Sequence, residues 1–205
     1  MSDDKLSWIF ATSDDEQLAA RYDAWAAEYD DDHDEWGWVG PVKAVERLLA
    51  HATPATVLDA GCGTGGVGRA LRSASWDGEL IGIDLSRGML DRAEAGGWYD
   101  RLVQGSLTAL DLPDGSVDAY IATGVYTHGH VGAEGFPEAL RVVKPGGVVV
   151  LTVREEVWAA LEPEASRLEQ AGEWELLERT DPASFHPGKG DQDDKPQSVV
   201  AWRRR

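Results

Sequence analysis

The sequence predicts a doubly wound α/β fold, built on a seven-stranded, mostly parallel sheet that an antiparallel C-terminal strand completes. Three observations predict it. Short apolar runs alternate with helix-competent segments from residue 56 onward, the pattern of a parallel sheet with crossover helices. A glycine-dense turn at 61–66, Gly-Cys-Gly-Thr-Gly-Gly, joins the first run to the first of these helices. The last two runs have only a Gly/Pro/Asp loop between them, 181–196, which suits an antiparallel hairpin better than a parallel crossover.

The elements follow in order. Residues before about 13 mix polar groups with Trp8, Ile9 and Phe10 and read as a loose arm. Ser-Asp-Asp-Glu at 13–16 opens a helix, with Ser13 as cap and early acids. Leu18, Tyr22, Trp25, Ala26 and Tyr29 recur along it at helical spacing, and the acidic run 30–35 is expected to end it in a charged loop. Pro41 starts a second helix through His51, with Val42, Val45, Leu48 and Leu49 on its apolar face. Strands are then predicted over 56–59, 80–84, 101–104, 117–123, 148–153, 174–178 and 198–203. Helices are predicted over 67–73, 87–95, 133–143 and about 155–171. The whole, 1–205, reads as one domain: a helical cap over 1–53 and a ligand-binding α/β core over 54–205.

Composition narrows the function. No apolar run reaches membrane-spanning length, and Met-Ser-Asp-Asp-Lys at the start lacks the features of a signal peptide. Cys62 is the single cysteine, so no intrachain disulfide can form, and a cytoplasmic location is expected. Within its loop Cys62 reads as a small filler rather than a nucleophile. Formal net charge is −18, which repels polyanions and argues against nucleic acid as a partner. The five lysines and the excess of aspartate also suit a cytoplasm of high salt, where screening makes self-repulsion tolerable. His33 lies among aspartates, but no second cluster has metal-ligand spacing, so no metal is expected.

The glycine turn carries the chemistry. Gly61, Gly63 and Gly66 satisfy a dinucleotide-type G-x-G-x-x-G. Asp59, two residues earlier, would repel a phosphate at the helix N-terminus and would welcome a cation. S-adenosylmethionine (SAM) carries a sulfonium and an ammonium and no phosphate. Asp84 ends the next strand about twenty residues on, where an acid can bind two free ribose hydroxyls. Strand, loop, helix, strand and acid are in register. That favours the ligand reading over one in which Asp59 caps a turn and Asp84 caps the following helix.

Asp-x-Gly-x-Gly-x-Gly at 59–65 resembles motif I of class I SAM-dependent methyltransferases. The strings at 86–90, 114–118 and 140–147 resemble that class's later motifs. Tyr-Asp-Ala-Trp-Ala-Ala-Glu-Tyr-Asp at 22–30, with Pro41 and the strings at 124–131 and 168–174, is similar to the Williams–Beuren syndrome chromosome-region methyltransferase family. This resemblance implies a Rossmann-like fold and methyl transfer from SAM, and it brings no established substrate. It places the cofactor on Asp59, Gly61, Cys62, Gly63, Thr64, Asp84, Leu85, Met89, Ser106, Leu107 and Thr123, with Tyr22, Trp25 and Tyr29 as a lid. One position departs from the common pattern: Gly105-Ser106 stands where many members have Gly-Asp, so the adenine contact falls to a shorter hydroxyl or to the backbone near Leu107.

Methyl transfer from a sulfonium needs alignment and exclusion of water, and a general base only if the acceptor loses a proton. His128 and His130 follow the fourth strand and are candidates for that base, or they order the loop around Gly124 and Gly129. Tyr22, Trp25 and Tyr29 read either as the lid or as helix packing. Trp36, Trp38, Tyr126, Phe185 and His186 are candidates for the acceptor pocket. The reading is a methyltransferase for a small-molecule acceptor. The alternatives are a SAM-binding sensor or partner protein without transferase activity, and an NAD-dependent oxidoreductase. Asp59 and the lack of a Tyr-x-x-x-Lys pair weigh against the last.

Overall fold

The computed structural model describes residues 8–9, 12, 14–127, 129–188 and 195–205. Among the described residues from Asp14 onward, three helices precede the sheet: α1 (Asp15–Trp25), α2 (Tyr29–Trp36) and α3 (Gly40–His51). Asp14 caps α1, its carboxylate accepting the Gln17 N–H at 2.9 Å. The expected cap, Ser13, lies outside the described residues, as does the acidic run 191–194. Ile9 is fully buried with Leu18, Trp25 and Trp36, so at that position the N-terminal arm is packed rather than loose.

The segment 30–35 is helical, contrary to the charged loop expected there. Asp30, Asp31 and Asp32 fill the first turn of α2, where the helix dipole favours acids. Tyr29, His33 and Trp36 recur at i, i+4 and i+7 and make one aromatic face against Trp25. Charge at the positive end and rings on one side convert an apparent loop into a helix.

The core then alternates: β1 (Thr56–Ala60), α4 (Gly66–Ser73), β2 (Glu79–Asp84), α5 (Arg87–Gly96), β3 (Arg101–Gln104) and β4 (Val117–Ala122). A 3₁₀ turn, Ala133–Gly135, leads into α6 (Phe136–Val142), followed by β5 (Val143–Arg154), α7 (Glu155–Gln170), β6 (Trp174–Arg179) and β7 (Gln197–Arg204). The sheet has seven strands in the order β3-β2-β1-β4-β5-β7-β6, and β7 runs antiparallel to both neighbours. The fifth strand starts earlier than predicted, because Val143 already pairs with Val117 before a register shift.

Side chains alternate between the two faces along each strand. Leu58, Ile81, Ile83, Tyr120, Val149 and Leu151 belong to one core, shared with α6 and α7. Val57, Leu80, Ala119, Ile121, Val148 and Val150 belong to the other, shared with α3 and α4. On the first side Trp174 and Trp202 stack with centroids 4.6 Å apart. Parallel strands buried on both faces explain the near-continuous apolar runs.

Gly82 is the close approach that joins fold to site. It pairs with Asp59 across the sheet, and a Cβ there would stand 2.7 Å from Leu102 Cδ2 and 2.9 Å from the Tyr99 ring. The bare backbone lets the Tyr99 ring cross β2, and its hydroxyl donates to Asp59 Oδ2 at 2.6 Å. Gly82→Ala should therefore cost about 1–3 kcal/mol through overpacking. Denaturant titration should show a lower midpoint with an unchanged slope.

Candidate active site

Strand order reverses at β1, which has β2 on one side and β4 on the other. The crevice of a doubly wound sheet opens at the carboxyl ends of the strands at such a reversal. A cavity of about 230 Å³ lies there, lined by Gly61 and Gly63 after β1, Asp84 and Leu85 at the end of β2, and Thr123 to Val125 after β4. Met89, Ser106 and Leu107 also face it, and so do Leu18, Tyr22 and Tyr29 from the N-terminal helices.

The loop after β1 is held by its backbone. The N–H groups of Gly61 and Cys62 donate to Ile83 O at 2.8 and 3.0 Å. Gly63 adopts φ +54°, and a Cβ at that residue would meet nothing within 4 Å, so this edge of the loop faces open space. Its N–H donates to Asp84 Oδ2 at 2.8 Å, while Ser86 N–H donates to Asp84 Oδ1 at 2.9 Å. Burial raises the Asp84 pKa above the ordinary carboxylate value, and these backbone donors oppose the rise.

Asp59 lies behind the loop, fully buried, and does not itself line the cavity. Oδ2 accepts from Tyr99, whereas Oδ1 has no hydrogen-bond partner among the described residues. Burial pushes its pKa to about 7, the Tyr99 hydrogen bond pulls it down, and the Asp84 charge adds to the rise. Cys62 and Thr64 do not line this cavity but an adjoining groove of about 650 Å³, which shares Tyr29, Gly61, Gly63 and Thr123 with it. Burial also pushes the Cys62 thiol up, which disfavours the thiolate a nucleophile would need.

The N-terminal helices are tied to the core by side chains. Asp23 Oδ1 accepts from Ser86 Oγ at 2.5 Å and from Gly88 N–H at 2.8 Å. Thr64 donates to Asp30 Oδ1 at 2.6 Å, and Ser106 donates to Asp15 Oδ2 at 2.9 Å. Tyr22 Oη and His130 Nε2 are 2.7 Å apart, both on the cavity wall. Burial keeps Tyr22 protonated, the charges of Tyr29 and Asp84 reinforce this, and Arg154 opposes it. The Tyr22 hydroxyl donates to His130 in the tautomer whose Nε2 is unprotonated and accepts from it in the other.

Beyond Tyr22, Tyr29 and Gly124 a second pocket of about 50 Å³ begins. Its walls are rings: Trp25, His33, Trp36, Trp38 and His186 border it, with Tyr29 stacked on His33 at 4.0 Å and Trp38 on His186 at 4.4 Å. Thr127, Thr152, Arg154 and Gln197 supply its polar groups.

The sequence-predicted residues divide accordingly. Gly61, Gly63, Asp84, Leu85, Met89, Ser106, Leu107, Thr123, Tyr22, Tyr29 and His130 meet on the first cavity. Trp25, Trp36, Trp38, Tyr126 and His186 meet on the second. Trp25 also packs with Leu18 and Trp36, and Tyr126 is stacked on Phe136 with its hydroxyl 3.1 Å from that of Tyr120. Phe185 lines neither of these two cavities: it is buried in the core cluster with Ala44, Val45 and Leu48, which draws its apolar ring away from the second pocket. His128 lies outside the described residues. Sequence reasoning missed Asp15, Glu134, Tyr99 and Arg154. Tyr99, three residues after a helix and two before β3, carried no motif to mark it as the partner of Asp59.

Known proteins share this arrangement. The methyltransferase-domain family matches residues 58–151. Human methyltransferase-like protein 27 is 41% identical over 168 residues, which cover 76% of this chain and 67% of that protein. Among solved structures, a chain of the Haloferax volcanii complex between the Trm112 methyltransferase activator and a methyltransferase superimposes with TM-score 0.67 at 21% identity, covering 89% of this chain and 97% of that one. A SAM-dependent methyltransferase from Thermotoga maritima does so with TM-score 0.65 at 18% identity, again covering 89% and 97%. The strand order with its single antiparallel strand, the glycine loop at the switch point and these likenesses agree, and the chain belongs to the class I methyltransferases.

Proposed function

We propose that this protein moves a methyl group from SAM to a small, partly apolar acceptor held in the aromatic pocket. One observation carries the reading: the loop-and-acid cavity and the ring-walled pocket meet at Tyr22, Tyr29 and Gly124. A cofactor laid along the loop would present its reactive end to that junction. The strings at 22–30, 124–131 and 168–174 support the finer kinship with the Williams–Beuren syndrome chromosome-region methyltransferases.

The residues present fit SAM. Asp84 stands on the cavity wall beside Gly63, placed for two ribose hydroxyls. Leu85, Met89 and Leu107 offer apolar contact to an adenine, and Ser106 a hydroxyl. Among the described residues Asp59 Oδ1 is a buried acceptor without a donor, an arrangement that costs stability and that the charge of a cationic ligand in the neighbouring cavity would offset. When bound, SAM supplies an electrophilic methyl on a cationic sulfur. The chain's own residues align the acceptor and exclude water. Where the acceptor carries a proton, Tyr22 and His130 can take it in two moves. The acceptor's proton passes to the Tyr22 oxygen as the Tyr22 hydroxyl proton passes to His130 Nε2.

The small size of the aromatic pocket, about 50 Å³, favours a second reading, a SAM-binding sensor without transferase activity. Incubation with labelled SAM and a cell metabolite extract separates the two. Transfer of label to a small molecule supports the enzyme, and binding of SAM with no labelled product supports the sensor.

Asp84→Ala removes charge-assisted bonds worth roughly 1.5–3 kcal/mol, so SAM affinity measured by calorimetry should fall at least about tenfold.

The pKa of Asp59 adds a pH dependence. Folding holds its proton up to about 7, so as pH rises through the interval above the ordinary carboxylate value, Asp59 progressively destabilises the ligand-free protein. Cationic SAM favours the ionised form, and its affinity should rise as pH passes through that value. Asp59→Asn should flatten both trends in thermal melts and in calorimetry.

With the acceptor identified, His130→Ala should lower turnover by roughly 10²–10⁴-fold while SAM affinity holds. If the relay operates, adding Tyr22→Phe to it should cost little more, because two members of one relay are not additive.

A further inference from the structure

We propose that Tyr99 is a positioning residue for the cofactor: seated beneath the glycine loop, it orients the Asp59 carboxylate and sustains its negative charge toward cationic SAM. The inference rests on the methyltransferase reading and adds a residue to its cofactor site.

The seat of the ring is the first observation. Glycines from three separate elements make room for it. A Cβ would stand 3.2 Å from the ring at Gly65 in the loop, and 2.9 Å from it at both Gly68 in α4 and Gly82 in β2. Gly68 stands in a helix, where glycine is disfavoured, so local preference does not account for it. The backbone gives way on three sides to seat one side chain.

A phenylalanine would fill the same space, so packing alone does not call for tyrosine. The hydroxyl is the second observation. It donates to Asp59 Oδ2 at 2.6 Å and accepts the Gly68 N–H at 3.3 Å. Gly68 lies in the first turn of α4, where N–H groups have no carbonyl of their own helix to meet. That N–H can only donate. It occupies the acceptor side of the phenolic oxygen and leaves the hydroxyl proton directed at Asp59.

The surroundings of Asp59 are the third. The acid is fully buried, and its other oxygen has no donor among the described residues. The titratable groups acting with it are Asp84 on β2, Cys62 in the loop, Tyr120 on β4 and Tyr99 itself. Burial keeps Cys62, Tyr99 and Tyr120 protonated, and the Asp84 charge opposes ionisation of Asp59. Burial is also the largest influence on Asp59, raising its pKa to about 7, and the Tyr99 hydrogen bond is what pulls it down. One hydroxyl therefore favours the carboxylate against burial and a neighbouring acid.

Calorimetry with SAM from acid to alkaline pH tests this. In the wild type SAM affinity should rise with a midpoint near 7. Tyr99→Phe keeps the ring and removes the donor. It should move that midpoint upward by about one pH unit or more and weaken SAM several-fold at neutral pH, as loss of a charge-assisted bond implies. The ammonium of SAM titrates alike with both proteins, so the difference between them belongs to the chain. Affinity for adenosine, which carries no cation, should hold. In ligand-free thermal melts the destabilisation that Asp59 imposes with rising pH should run on to higher pH in the variant. Tyr99→Phe added to Asp59→Asn should leave the pH profile of Asp59→Asn unchanged. An unmoved midpoint, or equal losses of SAM and adenosine affinity, would mean that Tyr99 only packs and would overturn the proposal. Should Tyr99→Phe fail to fold, 3-fluorotyrosine at position 99 decides: its more acidic hydroxyl should move the midpoint downward, and an unmoved one overturns the proposal. A wild-type protein that binds neither SAM nor adenosine sinks the methyltransferase reading instead, and the hold of Tyr99 on Asp59 is then read in the ligand-free melts alone.

Discussion

Because β2 and β4 flank β1 on opposite sides, the chain leaves the carboxyl ends of β1 and β4 in opposite directions, and a crevice opens between the two exits. The first cavity is arranged around that gap. Gly61 to Gly65 turn at one lip and Thr123 to Val125 at the other, while Asp84 ends the strand beside them. The two apolar cores on either face hold the strands rigid, so the loops inherit fixed starting points. The site is a consequence of strand order before it is a consequence of any side chain.

Buried acid is the second constraint. Asp59 and Asp84 stand on adjacent parallel strands, and each is raised by burial and by nearby carboxylate charge. Asp84 is compensated by backbone donors from Gly63 and Ser86, which also fix the loop's shape. Asp59 is compensated on one oxygen only, by a tyrosine that reaches it because Gly68 and Gly82 leave room for the ring. A region that concentrates negative charge and leaves one acceptor unpaired is poised for a cation.

The N-terminal helices close this region through few and mostly polar ties. Asp15, Asp23 and Asp30 each accept from a core hydroxyl, and Tyr22 meets His130. Bonds to a carboxylate are individually worth roughly 1.5–3 kcal/mol, so these few ties fix the N-terminal helices to the core. Its apolar contribution is a compact aromatic cluster around Trp25, which keeps the two short helices together as a unit. The same acids that make the chain so negative are thus partly structural.

Period and punctuation made much of this legible in the sequence. Alternating apolar runs gave the strands, glycine density gave the loop, and the spacing of Asp59 and Asp84 pointed to a cavity at that loop whose wall holds most of the expected residues. These are local signals, carried within one element and its neighbour. Contacts distant in sequence had no such mark. Tyr99 reaches Asp59 across 40 residues, Tyr22 reaches His130 across 108, and Arg154 and Gln197 join one pocket from strands that pair only in the folded sheet. The acidic run of α2 was misread for the same reason, since its helix depends on rings buried against Trp25. The sequence by itself determined the strand–helix alternation and the cofactor loop, because backbone periodicity and glycine geometry are written residue by residue. Only the tertiary structure decided which rings, hydroxyls and charges line the second pocket, because that depends on strand order and on the direction in which each element enters the crevice.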